Sequence, residues 1–247
     1  PLDDERISNI ALLDFAIDGN RDRQRSEYHR KLPWIRNNGI DVRVVSGLTV
    51  ERVTSNNNRS GGLVVSWRCR DVLVRDCVFE NNYFDGVAYY DSSQVHTVDS
   101  VMRGNLGAGI SLDNAFVDSS FIRCRLEGNR DVGVFARHSE RLVFYECQIV
   151  GSGNWAFFLA HDEKGRGVFD IDVASCEIRD NDGGVRMGSV TEAQSSRNSL
   201  AMNAFAGNGA NGREDLSTAG SSVELLDEVW SAGGETEPEA PQPKPYS

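Results

Sequence analysis

Tyr90, Asp91, Asp113, Arg137, His138, His161 and Asp162 fall at matching places in a repeating unit. His138 and His161 lie 23 residues apart, one unit. If one unit is one coil, their backbones sit ~4.8 Å apart. Two imidazoles that close resist double protonation, which lowers one pKa and favours a general base near neutrality. Arg137 would take a sugar carboxylate by a bidentate contact and acidify the adjacent C–H. Tyr90 would donate a proton to the leaving oxygen. That set reads as catalytic residues for lyase or epimerase chemistry on a uronate-containing polysaccharide. Hydrolysis would instead need two carboxylates, such as Asp85 or Asp91 with Asp113, at a separation that sets the stereochemistry. Phe135 and Phe158 would stack sugar rings, and Asp85, Asp91, Asp162 and Arg186 would contact the substrate. No cofactor is required by this chemistry, though Asp85, Asp91 and Asp113 are hard oxygen ligands suited to calcium. Each residue also has a purely structural reading. Asp85-Gly86 is turn chemistry, the histidines sit where turns are capped, and Arg137 and Asp113 suit a cross-strand ion pair.

Positioning these side chains requires the elements around them. A glycine and an aliphatic residue recur every 23 or 24 residues at Gly62-Leu63, Gly86-Val87, Gly109-Ile110 and Gly133-Val134. Ala156-Phe157 and Gly184-Val185 continue the series, and an Asn-rich turn precedes most instances. Within a unit, short apolar-alternating runs are separated by Asn, Gly and Asp, a period of two rather than 3.6. A repeat of this length marks a solenoid whose coils bury their apolar faces only by stacking. The expected fold is all-β, a right-handed parallel β-helix with three short strands per coil. One inward column then holds Cys77, Ser100, Cys124, Cys147, Cys176 and Asn203, and a second holds Phe79, Met102, Leu126, Ile149, Ile178 and Phe205. Four of the five cysteines are thereby a buried stack of small, soft side chains. Cys69 falls outside it, and neither a disulfide framework nor a zinc site suits this spacing.

The 247 residues carry a net charge of −11, which argues against nucleic acid as a partner. No apolar run approaches the length of a membrane span. The β-helix is expected over residues 1–230, without its N-terminal cap, followed by a Pro-rich tail or linker at 231–247. Two early coils are expected, Ile7–Asn20 and Ile35–Ile40, with a basic excursion from Arg21 to Lys31 that would form a lip over a groove. A small insertion falls at 163–168, the repeat loosens from Ser189, and residues 225–230 would form a closing strand.

Residues Ile7 to Gly188, roughly three quarters of the chain, resemble the pectate-lyase-like superfamily of right-handed β-helices. Within them, Leu13-Asp14-Phe15-Ala16-Ile17-Asp18-Gly19-Asn20-Arg21-Asp22 is similar to the first coil of bacterial mannuronan C5-epimerases and related polysaccharide lyases. The coil that carries those epimerases' Tyr-Gly-Phe-Asp-Pro-His motif reads Ser60-Gly61-Gly62-Leu63-Val64-Val65-Ser66-Trp67 here, so their catalytic set does not transfer. Asn82-Tyr83-Phe84-Asp85-Gly86 resembles part of the polygalacturonase motif, but Gly107-Ala108-Gly109 lacks the paired aspartates that follow it there. The resemblance implies an extracellular or cell-surface carbohydrate-active protein with a polysaccharide partner. It leaves a glycoside hydrolase, or a non-catalytic adhesin or tailspike-like module, as the alternatives. Exposed Phe135 and Phe158 would also suit a homotrimer packed side by side.

Overall fold

Coil upon coil, the chain winds three parallel sheets. The computed structural model describes residues 6–187, 197–209, 223–226 and 229–231. Among the described residues two of the sheets have nine strands and the third has seven; seven coils contribute one strand to each sheet in the same order, and the last two contribute to the first two sheets. The fold is thus a parallel β-solenoid, with one 3-10 turn at Arg21–Arg23 and no α-helix among the described residues. The register is residue for residue between units: Val87 pairs with both Leu63 and Ile110, and Phe79 with both Ser55 and Met102.

Two internal ladders fix that register. The first is asparagine. Asn58 Nδ2 donates to Asn82 Oδ1 at 2.7 Å, Asn82 Nδ2 to Asn105 Oδ1 at 2.9 Å, and Asn105 Nδ2 to Asn129 Oδ1 at 3.0 Å. All four side chains are buried, so each amide stands in for the water it has lost. The glycines that open the third-sheet strand make room for this ladder. A Cβ on Gly86 or Gly109 would lie 2.8 Å from the Asn Nδ2 of the next coil. The second ladder is the cysteine column. All five thiols are free and buried. Those of Cys77, Cys124, Cys147 and Cys176 donate to carbonyls of their own or the preceding coil, such as Arg75 O and Thr97 O. Cys69 lies outside the column, donating to Ser66 O at 3.1 Å.

The asparagine ladder breaks once, at Ser152. Its hydroxyl is buried and finds no protein partner. Gly133, one coil below, faces Ser152 Oγ as Gly86 and Gly109 face an Asn Nδ2, with the Ile149 side chain alongside. Ser152→Asn is therefore expected to complete the ladder. The gain should be about 1 kcal/mol, or a rise of roughly 2–4 °C in melting temperature for a chain this size. Calorimetry checks it, and a lowered melting temperature would show that the cradle is too small.

The corners between strands are turned by residues in the left-handed region, most of them not glycine. Several successive corners carry opposite charges that meet across coils. Arg123 Nε lies 2.7 Å from Asp99 Oδ1, Arg197 Nε lies 2.6 Å from Asp170 Oδ1, and Arg141 pairs with Asp118. Inside, aromatic side chains fill the axis: Phe121 and Phe144 stack at 4.6 Å, and Tyr89 OH reaches Thr97 Oγ1 at 2.9 Å.

Two expectations about the ends change. Ile7–Leu13 and Ala16–Asp18 pair with Val45–Glu51 and Thr54–Asn56, whereas Ile40–Arg43 pairs with Leu63–Ser66. The two expected early coils are therefore parts of a single coil. The intervening excursion splits it, folding as an antiparallel hairpin of Tyr28–His29 and Leu32–Arg36. At the other end Val223–Leu226 and Val229–Ser231 join two different sheets, so they continue a coil where one closing strand was expected. The expected tail lies, apart from Ser231, outside the described residues.

Candidate functional site

The third sheet presents its outer face as a grid. In each coil the residue before the strand-opening position and those two and four after it point outwards, because side chains alternate along a strand. Successive rows are Asn38, Asp41, Arg43; Gly61, Val64, Ser66; and Asp85, Ala88, Tyr90. Then come Ala108, Ser111, Asp113; Val132, Phe135, Arg137; and Trp155, Phe158, Ala160. Direction follows the sequence reading, but exposure does not. Asp113 is 7% exposed and Phe135 3%, while Tyr90, Arg137, Phe158 and Arg186 are half-buried. The stripe is the floor of a groove.

Its walls come from outside the periodic strands. Arg36, at the end of the hairpin, reaches over Phe84 at 5.7 Å from the ring centroid and is held by Glu27. The expected lip exists, but its groove-lining cation is Arg36 rather than the basic run before it. On the opposite side a corner column of Trp67, Asp91, Asn114 and His138, all left-handed, forms the rim. Asp162 organises the insertion: its carboxylate accepts the Lys164 and Arg166 backbone N–H groups at 2.9 Å and pairs with the Arg166 guanidinium. Burial opposes ionisation there, but these contacts prevail and hold its pKa at about 2. The turn carries Arg166 over His138. The enclosed cavity measures 560 Å³ and is lined by Arg36, Arg43, Trp67, Phe84, Asp85, Tyr90, Asp91, His138 and Arg166, among others.

On the floor, Asp85 is 1% exposed and its Oδ1 accepts the Ala108 N–H at 2.8 Å. Burial pushes its pKa up to about 7 and nearby Asp131 adds to the rise, against the Ala108 amide, Arg36 and the Ser111 hydroxyl. Burial, then Asp85, also raises the Tyr90 phenol. Tyr90 OH lies 3.4 Å from Ser111 Oγ, so the Ser111 hydroxyl stands between carboxyl and phenol. Asp113 receives Arg137 Nε at 2.9 Å and the Asn114 N–H at 2.7 Å, and the Arg137 guanidinium also lies over Phe135 at 5.6 Å. Arg137 thus buttresses the floor.

His138 faces the cavity with a buried Nδ1 that meets no protein partner. Burial and then Arg166 lower its pKa, so the imidazole is neutral at pH 7; a second imidazole is not the cause. His161 Nδ1 is likewise without a protein partner, but His161 is not part of this lining. Phe135, Trp155, Val132, Ala108 and Ala160 form a small outer core with Phe158 against it, and Arg186 lies 5.4 Å from the Trp155 ring. Phe135 therefore offers no open ring face. Besides Tyr90 and His138, the aromatic rings that line the cavity are Trp67 and Phe84, which the sequence reading did not assign to the site. Ser111, Arg36, Arg43 and Arg166 were missed as well. Of these, Trp67 left a readable signal as a large aromatic in the corner column, and Ser111 by its outward place two residues after Gly109.

Among the described residues no three His, Cys, Asp or Glu side chains stand close enough to hold one metal ion. Asp85, Asp91 and Asp113 do not form a calcium set, since Asp113 is engaged by Arg137.

Solved structures share the fold. The periplasmic alginate epimerase AlgG superposes with a TM-score of 0.59 at 16% identity, over 78% of this chain and 42% of that chain. PfbA, a surface adhesin of Streptococcus pneumoniae, superposes with a TM-score of 0.53 at 10% identity, over 90% and 68%. The chain spans about two fifths of the length of the epimerase. At these identities the likeness is one of fold, a parallel β-helix. No curated protein matches the sequence. A family profile described as "Periplasmic copper-binding protein (NosD)" matches residues 13–237, and the chain belongs to that family.

Proposed function

We propose that the groove binds a polysaccharide outside the cytoplasm and moves a proton on it, by lyase or epimerase chemistry on a uronate unit. The observation that carries this is the convergence of Asp85 and Tyr90 on Ser111. A carboxyl group titrating at about 7 is half ionised where a general base works best. The Asp85 carboxylate would take the proton next to the sugar carboxylate, and Tyr90 would donate one to the leaving oxygen or the opposite ring face. The periplasmic family description and the folds shared with an alginate epimerase and a surface adhesin support the general kind of partner and place.

The family description names copper, and these residues do not fit it. The thiols that would suit a soft ion point into the packed core and donate to backbone carbonyls, and no three-donor group exists among the described residues. No step is therefore routed through a metal. The second reading, a non-catalytic glycan-binding groove, is favoured by one observation. Arg137, the guanidinium that would neutralise a uronate, is spent on Asp113.

The test is incubation with alginate and polygalacturonate, following unsaturated ends by absorbance and C5 inversion by proton NMR. Activity is expected in the parent and should fall about 10²–10⁴-fold in Tyr90→Phe. Binding without either signal in the parent would leave the glycan-binding reading in its place.

A further inference from the structure

Trp67 is in a place that the core does not explain. The corner column runs Val44, Trp67, Asp91, Asn114 and His138, all left-handed. The conformation belongs to the corner and is shared by Val44 at φ 56, so it is the tryptophan side chain, not its backbone, that sets this position apart. Core packing does not account for that side chain, because Trp67 is 38% exposed and stands outside the hydrophobic core. What it does is line the groove. Arg43 lies 4.7 Å from the ring centroid, its plane set by two bonds to Asp41, from Nε at 2.8 Å and from Nη2 at 2.9 Å. Asn38 in turn holds Asp41 at 3.1 Å. The guanidinium covers one face of the indole and leaves the other as a flat apolar surface.

We propose that Trp67, braced by Arg43 and Asp41, is a stacking subsite for one pyranose ring of the bound chain, about one coil from the proton-transfer residues. The subsite rests on the reading of the groove as a carbohydrate site. A pyranose offers the matching surface, a face of C–H groups ringed by hydroxyls. Uronates and neutral hexoses share that face, so the experiment includes both.

Hexasaccharides of mannuronate, galacturonate and mannose are titrated into the full chain by calorimetry and tryptophan emission. Trp67→Gly, which adopts a positive φ without strain, is expected to bind about tenfold more weakly with no fall in melting temperature. Trp67→Phe keeps a ring, and is expected to retain most of the affinity while losing the ligand-induced emission change. Equal affinities of the parent and Trp67→Gly would overturn the subsite and leave the groove's function standing. So would equal losses in the Gly and Phe variants. A parent that binds none of the three would overturn the groove reading and the subsite with it.

Discussion

Replacing Asp85 with Asn is expected to make the protein more stable above pH 7 while removing most of its proton-transfer activity. The parent carboxyl has a pKa of about 7 when folded, against an ordinary value of 3.8. The folded state therefore keeps a proton that the unfolded chain has released across that interval. Stability from this group is full below pH ~4, falls as pH rises towards 7, and is flat beyond. The total loss is on the order of 4 kcal/mol, since one pKa unit corresponds to about 1.4 kcal/mol. An asparagine retains an Oδ1 to accept the Ala108 N–H but has no charge to bury. Denaturant midpoints of the two proteins should coincide near pH 4 and separate by pH 8, with the variant higher. Activity should drop about 10²–10⁴-fold if Asp85 transfers the proton. Parallel stability profiles would show that the Asp85 carboxyl is not perturbed by burial, and the proposed base would fall with it.

Asn105→Ala is expected to be the most damaging single change in the solenoid. Asn105 is fully buried and sits at the middle of the ladder. Its Oδ1 accepts from Asn82 N at 3.0 Å and Asn82 Nδ2 at 2.9 Å, and its Nδ2 donates to Asn129 Oδ1 at 3.0 Å and Phe79 O at 3.1 Å. Alanine removes one amide but strands its partners in two neighbouring coils, where water cannot reach them. A loss of about 3–5 kcal/mol follows, because a stranded buried donor or acceptor costs more than an average hydrogen bond returns. Urea unfolding followed by circular dichroism measures it. A loss below about 1 kcal/mol would mean that the ladder is repaired by rearrangement or water.

What the sequence disclosed and what it hid divide along the same line. A solenoid turns spacing in the chain into adjacency in space, so Cys77, Cys124, Cys147 and Cys176 could be stacked without a structure, and so could the outward positions of Tyr90, Asp113 and Arg137. Alternation tells which way a side chain points but not what stands over it. Arg36 comes from a hairpin and Arg166 from an insertion, both outside the repeat, and these make a stripe into a groove. Phe135 is covered by aromatic neighbours on the next coil, an effect of side-chain size that no period records. The hairpin also cut one coil into two stretches that read as separate units. The chemistry moved accordingly: Asp85, which has the sequence look of a turn residue, is the perturbed carboxyl, while Arg137 is held by Asp113.

A chain of near-identical coils faces an ambiguity of address. If one coil is skipped, glycine still meets glycine and asparagine still meets asparagine, so those ladders cannot tell a correct stack from a slipped one. The corner charges can. Asp118, Arg141, Asp170 and Arg197 follow one another at the same corner with alternating sign. A skip of one coil would set Asp118 against Asp170 and Arg141 against Arg197, like facing like, which sheets disfavour. The exposed pairs add little to the stability of the finished fold. Their effect, over these four coils, is to disfavour a slip by one coil.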